Sequence, residues 1–220
     1  MPLLVFLHGL GQSPLAWQDQ VTALPPGWKA VAPWLRGTRP ARDETFSVEG
    51  AADDVLRLLN VHGVESMALC GASLGAVVAL DAAVRAPGTV SHLVLAAGQV
   101  VTPKKALRAQ QWALRATPSS RFAASGIDKA RFLATFDALA RIDYRHRLGE
   151  VTARTLVICG TNDKASRPAS EELAAGIPGA RLELLPDAGV APHTDQPQAF
   201  NALLYEFLRP EPAGDTDPHG

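Results

Sequence analysis

The chain has little of what most specialised architectures require. Only two cysteines, Cys70 and Cys159, occur in 220 residues. Each sits inside an apolar run, which argues against a disulfide framework and fits a reducing, cytoplasmic setting. Neither sign of charge dominates: 21 Lys and Arg face 22 Asp and Glu, so no net field favours nucleic acid as a partner. No apolar run approaches the ~20 residues of a membrane span. The opening MPLLVFLHG lacks the basic stretch of a signal peptide. His62, His92 and His146 are scattered without metal-ligand spacing, so neither a metal nor another cofactor is expected.

What is present is an ordinary soluble composition, 47% hydrophobic and 20% charged, enough for one domain with a sizeable core. Short β-type runs alternate with longer helical patterns, which predicts a parallel sheet with helices on both faces. The expected strands are Leu3-Leu7, Lys29-Pro33, Ser66-Cys70, Ser91-Ala96, Thr155-Cys159 and Arg181-Leu185. Ser13-Pro14 reads as a helix start with Trp17, Val21 and Leu24 on one face, and Ser47 as the cap of a helix burying Val55, Leu56 and Leu59. A third helix runs from the Ser73 turn to about Ala86, and the last from near Pro197 to Leu208. The expected organisation is a doubly wound, mostly parallel core of about six strands over 1–102 and 148–210. A helical cap inserts at 103–147, and a Pro- and Gly-containing tail at 211–220 reads as disordered. Within the cap region Asp128 would cap a helix carrying Phe132, Leu133, Phe136 and Leu139. Residues 103–150 hold ten Lys and Arg against four Asp and Glu. A solvated helix surface accounts for that excess; an attraction for anionic substrates is the sharper reading.

Three segments carry chemistry. Gly71-Ala72-Ser73-Leu74-Gly75 follows an apolar strand and opens an apolar helix. A serine on such a turn is exposed at a helix N-terminus, where the dipole favours developing negative charge. His8-Gly9-Leu10-Gly11 follows the first strand and can aim the Leu10 N–H at the same point as the Leu74 N–H, forming an oxyanion hole. A dinucleotide loop fits that segment poorly, since Pro14 stands where the third glycine would be. Asp163, just beyond Thr155-Cys159, follows the serine in the order that a triad carboxylate would take.

With FLHGLGQS, LCGASLGAVVAL, TLVICGTND and LPDAGVAPHTDQPQAFN in order, the whole chain resembles the α/β-hydrolase superfamily. It looks most like small cytosolic enol-lactone hydrolases, carboxylesterases and proline iminopeptidases. The resemblance implies that fold without its first two strands. It also implies a serine hydrolase with Ser73 as nucleophile, Asp163 orienting a base, and Leu10 and Leu74 as oxyanion donors. The partner would be a small ester, lactone or related acyl compound, an anionic one if the basic cap selects it; the oligomeric state is left open.

One landmark is broken. The family's histidine segment, G-H-x-P-x-x-(E/D)-x-P, is matched by Gly189 to Pro197, yet Val190 occupies the histidine's place. A valine can neither accept nor return a proton. His193 is the alternative base, but three residues of extended chain span about 10 Å, whereas a base must lie about 3 Å from the serine oxygen. The expectation is therefore a hydrolase with its base position vacated. The alternatives are a non-hydrolytic binding protein and a lyase- or cyclase-type enzyme using the same pocket.

Overall fold

The computed structural model describes residues 1–40, 42–101, 117 and 129–209. Asp128 and the 211–220 tail lie outside the described residues. Six strands form one sheet: β1 (Leu3–Leu7), β2 (Lys29–Val31), β3 (Met67–Ala72), β4 (Val90–Ala96), β5 (Arg154–Gly160) and β6 (Arg181–Leu185), in the order β2-β1-β3-β4-β5-β6. Every neighbouring pair is parallel, with Leu3 opposite both Lys29 and Met67, and His92 opposite Arg154.

The helices are α1 (Gln18–Thr22), α2 (Val48–His62), α3 (Leu74–Arg85), α4 (Lys129–Leu139), α5 (Arg167–Gly176), α6 (Pro192–Asp195) and α7 (Pro197–Phe207). Among the described residues no helix is long and apolar enough to cross a membrane.

Strand periodicity divides the core. Leu3, Val5, Leu7, Leu69, Leu93 and Val157 point into one apolar layer, beneath α2 and α3. Leu4, Phe6, Cys70, Val94, Leu156 and Ile158 point into the other, with Trp17 and the Phe200, Leu204 and Phe207 stripe of α7. Two buried layers explain why these strands read as continuous apolar runs rather than alternating ones.

Capping follows the sequence where a short polar side chain precedes the helix. Ser47 accepts the Gly50 N–H at the start of α2, and Gly63 closes that helix in the left-handed conformation. Ser13 accepts the Leu15 N–H, but the chain forms a four-residue 3-10 turn, Pro14–Trp17, before α1 begins. Three residues per turn then brings Trp17 and Gln20 inward, and the expected inward residue Val21 is 41% exposed. β2 ends at Val31, two residues short of the expected Pro33, and β3 continues through Ala72, two residues beyond the expected Cys70.

In the region expected to hold helices alone, an isolated antiparallel bridge joins Val101 to Asp143. The Tyr144 N–H donates to the Val100 carbonyl at 3.0 Å, so the two ends of the insertion are tied together. Tyr144 also donates its hydroxyl to buried Asp81 on α3 at 2.9 Å. In α4 only Thr135 is fully buried, while Phe132, Leu133, Phe136 and Leu139 are half-buried.

Candidate active site

Ser73 stands between β3 and α3 with φ 50° and ψ −110°, a conformation that L-residues avoid. Such a backbone costs of order 1–3 kcal/mol and persists only where the surroundings enforce it. Here the Ser73 N–H donates to the Ala96 carbonyl at 2.9 Å, and the Ser73 carbonyl accepts from Ala76 and Val77 at 3.0 and 3.2 Å. The flanking glycines are required by close approach. A Cβ on Gly71 would lie 2.3 Å from the Gly75 oxygen, and one on Gly75 would lie 2.0 Å from the Leu7 oxygen. The same crowding explains why the elbow lies against the loop that follows β1. The Ser73 side chain is exposed and has no hydrogen-bond partner among the described residues.

The loop after β1 is braced by its own histidine. His8 is fully buried; its Nδ1 lies 2.9 Å from the Gly9 carbonyl, and its Nε2 accepts the Leu35 N–H at 3.3 Å. Burial pushes its pKa down, partly offset by the Gly9 contact, which makes it a neutral bracing group. The Gly9 N–H donates to Gln12 Oε1 at 2.9 Å, and the Gln12 N–H returns to the Gly9 carbonyl at 3.2 Å. These bonds fix the turn that contains Leu10. Leu74, as the first residue of α3, has no intrahelical acceptor for its N–H. Trp34 meets the His8 ring edge-on at 5.4 Å.

Asp163 follows β5 and is 3% exposed. Its Oδ1 accepts the Ser166 N–H at 3.0 Å, while its Oδ2 is buried and has no partner among the described residues. The loop carrying Val190 lies alongside. Asn162 donates its N–H to the Ala188 carbonyl at 2.9 Å, and Thr161 donates to the Leu185 carbonyl at 2.9 Å. A Cβ on Gly160 would come within 2.4 Å of the Gly189 oxygen. The Gly189 N–H donates to Asp195 Oδ2 at 2.8 Å. Val190 itself is 65% exposed and belongs to neither core layer.

His193 lies elsewhere. It is 1% exposed, stacked on Trp17 with centroids 4.1 Å apart and edge-on to Phe200 at 6.0 Å. Neither ring nitrogen has a hydrogen-bond partner among the described residues. Its carbonyl accepts from Gln20 Nε2 at 3.1 Å. Ser73, Leu10, Leu74, Asp163 and Val190 thus all lie at the carboxyl ends of parallel strands, while the imidazole of His193 is packed in the layer of Trp17 and Phe200.

Residues 4–203 match the alpha/beta hydrolase family. The chain belongs to it. A putative carbamate hydrolase RutD from Cronobacter turicensis is 29% identical over 254 residues, covering 98% of this chain and 95% of that protein. A hydrolase of known structure from Pseudomonas aeruginosa PA01 superposes with a TM-score of 0.82 at 25% identity, covering 95% and 90% of the two chains. The enol-lactonase from Burkholderia xenovorans LB400 has the same fold, with a TM-score of 0.83 at 22% identity over 94% and 91%.

Two features of this family member leave no signal in the sequence. The start of α4 lies over the Leu10 loop: a Cβ on Gly11 would meet the Phe132 ring at 3.8 Å, and Arg131 donates to the Gly37 and Glu44 carbonyls. Such contacts between distant segments leave no local pattern. In addition, a cleft of about 740 Å³ opens between α2, α3 and α4, away from Ser73. Its charged lining mixes Arg85, Arg141 and Arg147 with Glu49, Asp81 and Asp137, so it carries no single sign. Cys70 and Cys159 are buried free thiols, and burial pushes both pKa values up. Among the described residues no cluster of His, Cys, Asp and Glu could hold a metal.

Proposed function

We propose that the chain is a serine hydrolase scaffold for a small ester, lactone or related acyl substrate, complete except for its base. The observation that carries this reading is the Asp163 carboxylate: buried, bonded through Oδ1 alone, and adjacent to the backbone of the Val190 loop. A buried acceptor without a donor costs about 1–3 kcal/mol. It is the arrangement expected when an orienting carboxylate has lost its imidazole.

In this reading Ser73 Oγ attacks the carbonyl carbon, and the Leu10 and Leu74 N–H groups hold the developing oxyanion. Asp163 holds whatever group accepts the serine proton. Without that group Ser73 remains a neutral hydroxyl, and turnover falls by as much as ~10⁶. The carbamate hydrolase relative supports cleavage at an acyl carbonyl bearing a heteroatom leaving group. The packing of His193 supports a base position that it does not fill: its imidazole is stacked on Trp17 and edge-on to Phe200, and is 1% exposed. The valine at position 190 also supports a second reading, in which the pocket binds an acyl compound without cleaving it.

The test is Val190→His. Its kcat/KM on p-nitrophenyl acetate should exceed the parent's by about 10²- to 10⁴-fold, the usual contribution of a positioned base. A variant that folds and gains nothing overturns the hydrolase reading. A parent that is already fast, and is silenced by His193→Ala, overturns the assignment of the missing base.

A further inference from the structure

We propose that Arg36, Arg39 and Arg42, in the loop between β2 and α2, bind a tetrahedral oxyanion: a phosphate or a phosphate monoester. The inference goes beyond the hydrolase reading and does not require Ser73 to react.

The site is a cavity of about 150 Å³ lined by Trp34, Arg36, Arg39, Arg42, Glu44 and Asp54. At ~30 Å³ per water-sized group it has room for about five heavy atoms, the number in a phosphate. The arginines recur at every third position from 36 to 42, so one short loop delivers all three to the same cavity.

Most of the negative charge nearby is already engaged. Arg36 holds Asp54 through two bonds of 2.7 Å, from Nε to Oδ2 and from Nη2 to Oδ1, and Arg57 donates to the same Oδ1. Glu44 lies 3.9 Å from Arg42 Nη1, beyond hydrogen-bond range. Arg39 is exposed and has no partner among the described residues. Asp43, the other acid of the loop, does not line the cavity. With Arg57 included, four guanidinium groups face two carboxylates, and a dianion would balance the surplus. A phosphate monoester carries about −1.5 to −2 charges at pH 7 and three strong acceptor oxygens, which suit the planar forks of arginine. A carboxylate brings one charge and two oxygens, too little for three forks.

The loop is held in shape by contacts that need no ligand. A Cβ on Gly37, where φ is 74°, would lie 2.4 Å from the Phe46 nitrogen, so the two limbs of the loop touch. Thr38 donates its N–H and its hydroxyl to the Leu35 carbonyl at 3.0 and 2.7 Å. Arg131 of α4 donates to the Gly37 and Glu44 carbonyls at 3.2 and 3.3 Å. Leu35 and Trp34 tie the same loop to His8, through the bond to Nε2 and the edge-on ring contact. Donors fixed in advance lose less entropy when they bind.

The ion can be free phosphate or the phosphate of an organic monoester, and the experiment separates the two. The parent is titrated calorimetrically at pH 7.5 and constant ionic strength with inorganic phosphate, phenyl phosphate and acetate. Phosphate should bind saturably and at least tenfold more tightly than acetate. Arg39→Gln, at an exposed position whose side chain holds nothing else in place, should weaken phosphate binding at least tenfold, as loss of a charged hydrogen-bond donor does. Arg141→Gln removes another side chain without a partner among the described residues, in the mixed-sign cleft between α2, α3 and α4, and should change nothing. Phenyl phosphate binding more tightly than inorganic phosphate identifies a monoester whose organic part rests on Trp34. Equal or weaker binding identifies the free ion. No saturable heat by ~10 mM phosphate, equal affinity for acetate, or an equal loss in Arg141→Gln overturns the proposal. The two readings fail separately: a folded Val190→His protein that stays inactive leaves phosphate binding as expected, and absent phosphate binding leaves the expected gain of Val190→His untouched.

Discussion

The imidazole of His193 lies nearly parallel to the Trp17 indole, with ring centroids 4.1 Å apart and an interplanar angle of 24°. That contact turns a residue with the chemistry of a base into part of an apolar layer that also contains Phe6 and Phe200. It has measurable consequences.

Burial holds the His193 pKa down to about 4 from the ordinary 6.5, with the Asp195 carboxylate opposing only in part. A histidine whose folded pKa is depressed is stabilising while neutral, so its contribution is intact above pH 6.5 and is lost as pH falls toward about 4. The full loss is on the order of 3 kcal/mol at ~1.4 kcal/mol per unit. Melting temperature measured between pH 7.5 and 4.5 should therefore fall more steeply for the parent than for His193→Phe, which keeps an aromatic ring on Trp17. Equal slopes would mean that the ring titrates freely in the folded state.

The elbow makes a steric prediction. Gly75→Ala would place a Cβ 2.0 Å from the Leu7 oxygen, a backbone atom in β1, which is paired on both sides and cannot yield cheaply. The variant should lose several kcal/mol or fail to accumulate as folded protein, as overpacked cores do at about 1–3 kcal/mol or more. Gly149→Ala is the control, because nothing lies within 4 Å of its added carbon. Its urea midpoint should be within error of the parent's. A folded, stable Gly75→Ala protein would show that the β1 loop does not approach the elbow as described.

The Tyr144 hydroxyl is the buried link between the returning limb of the insertion and α3, donating to Asp81 Oδ1 at 2.9 Å. Arg85 reaches the other Asp81 oxygen at 3.3 Å. Burial pushes the Asp81 pKa up, against the pull of Tyr144 and Arg85. Tyr144→Phe leaves one carboxylate oxygen without its donor and should cost about 1–3 kcal/mol. Adding Asp81→Ala to Tyr144→Phe should cost less than the sum of the two single changes, because the shared interaction is lost only once. Additive losses in a double-mutant cycle would remove the coupling.

Much of this architecture is legible along the chain because it rests on local rules. Leu3–Leu7 and Arg181–Leu185 are strands with the expected bounds, and Ser47 and Gly63 mark the ends of α2 by capping chemistry that needs only neighbours in sequence. Val21 points outward, not inward, because a 3-10 turn and an α-turn start from the same Ser-Pro signal but rotate the next residues differently. The short helices α5 and α6 leave little signal in the sequence; both open with a proline in the first turn and carry few apolar residues to mark a face.

The residue types of the candidate site, and the break at Val190, are properties of the one-dimensional pattern: Gly-x-Ser-x-Gly after an apolar strand, an aspartate after a later strand, and a histidine segment without its histidine. Folding added what no spacing contains. It set φ at Ser73, left Asp163 Oδ2 buried without a donor, and put the ring of His193 against Trp17 rather than toward the serine. Local chemistry reads along the chain because its partners are a few residues apart. Whether a carboxylate has a partner, or which layer receives an imidazole, depends on segments far apart in sequence meeting in the fold, as Trp17 and His193 do.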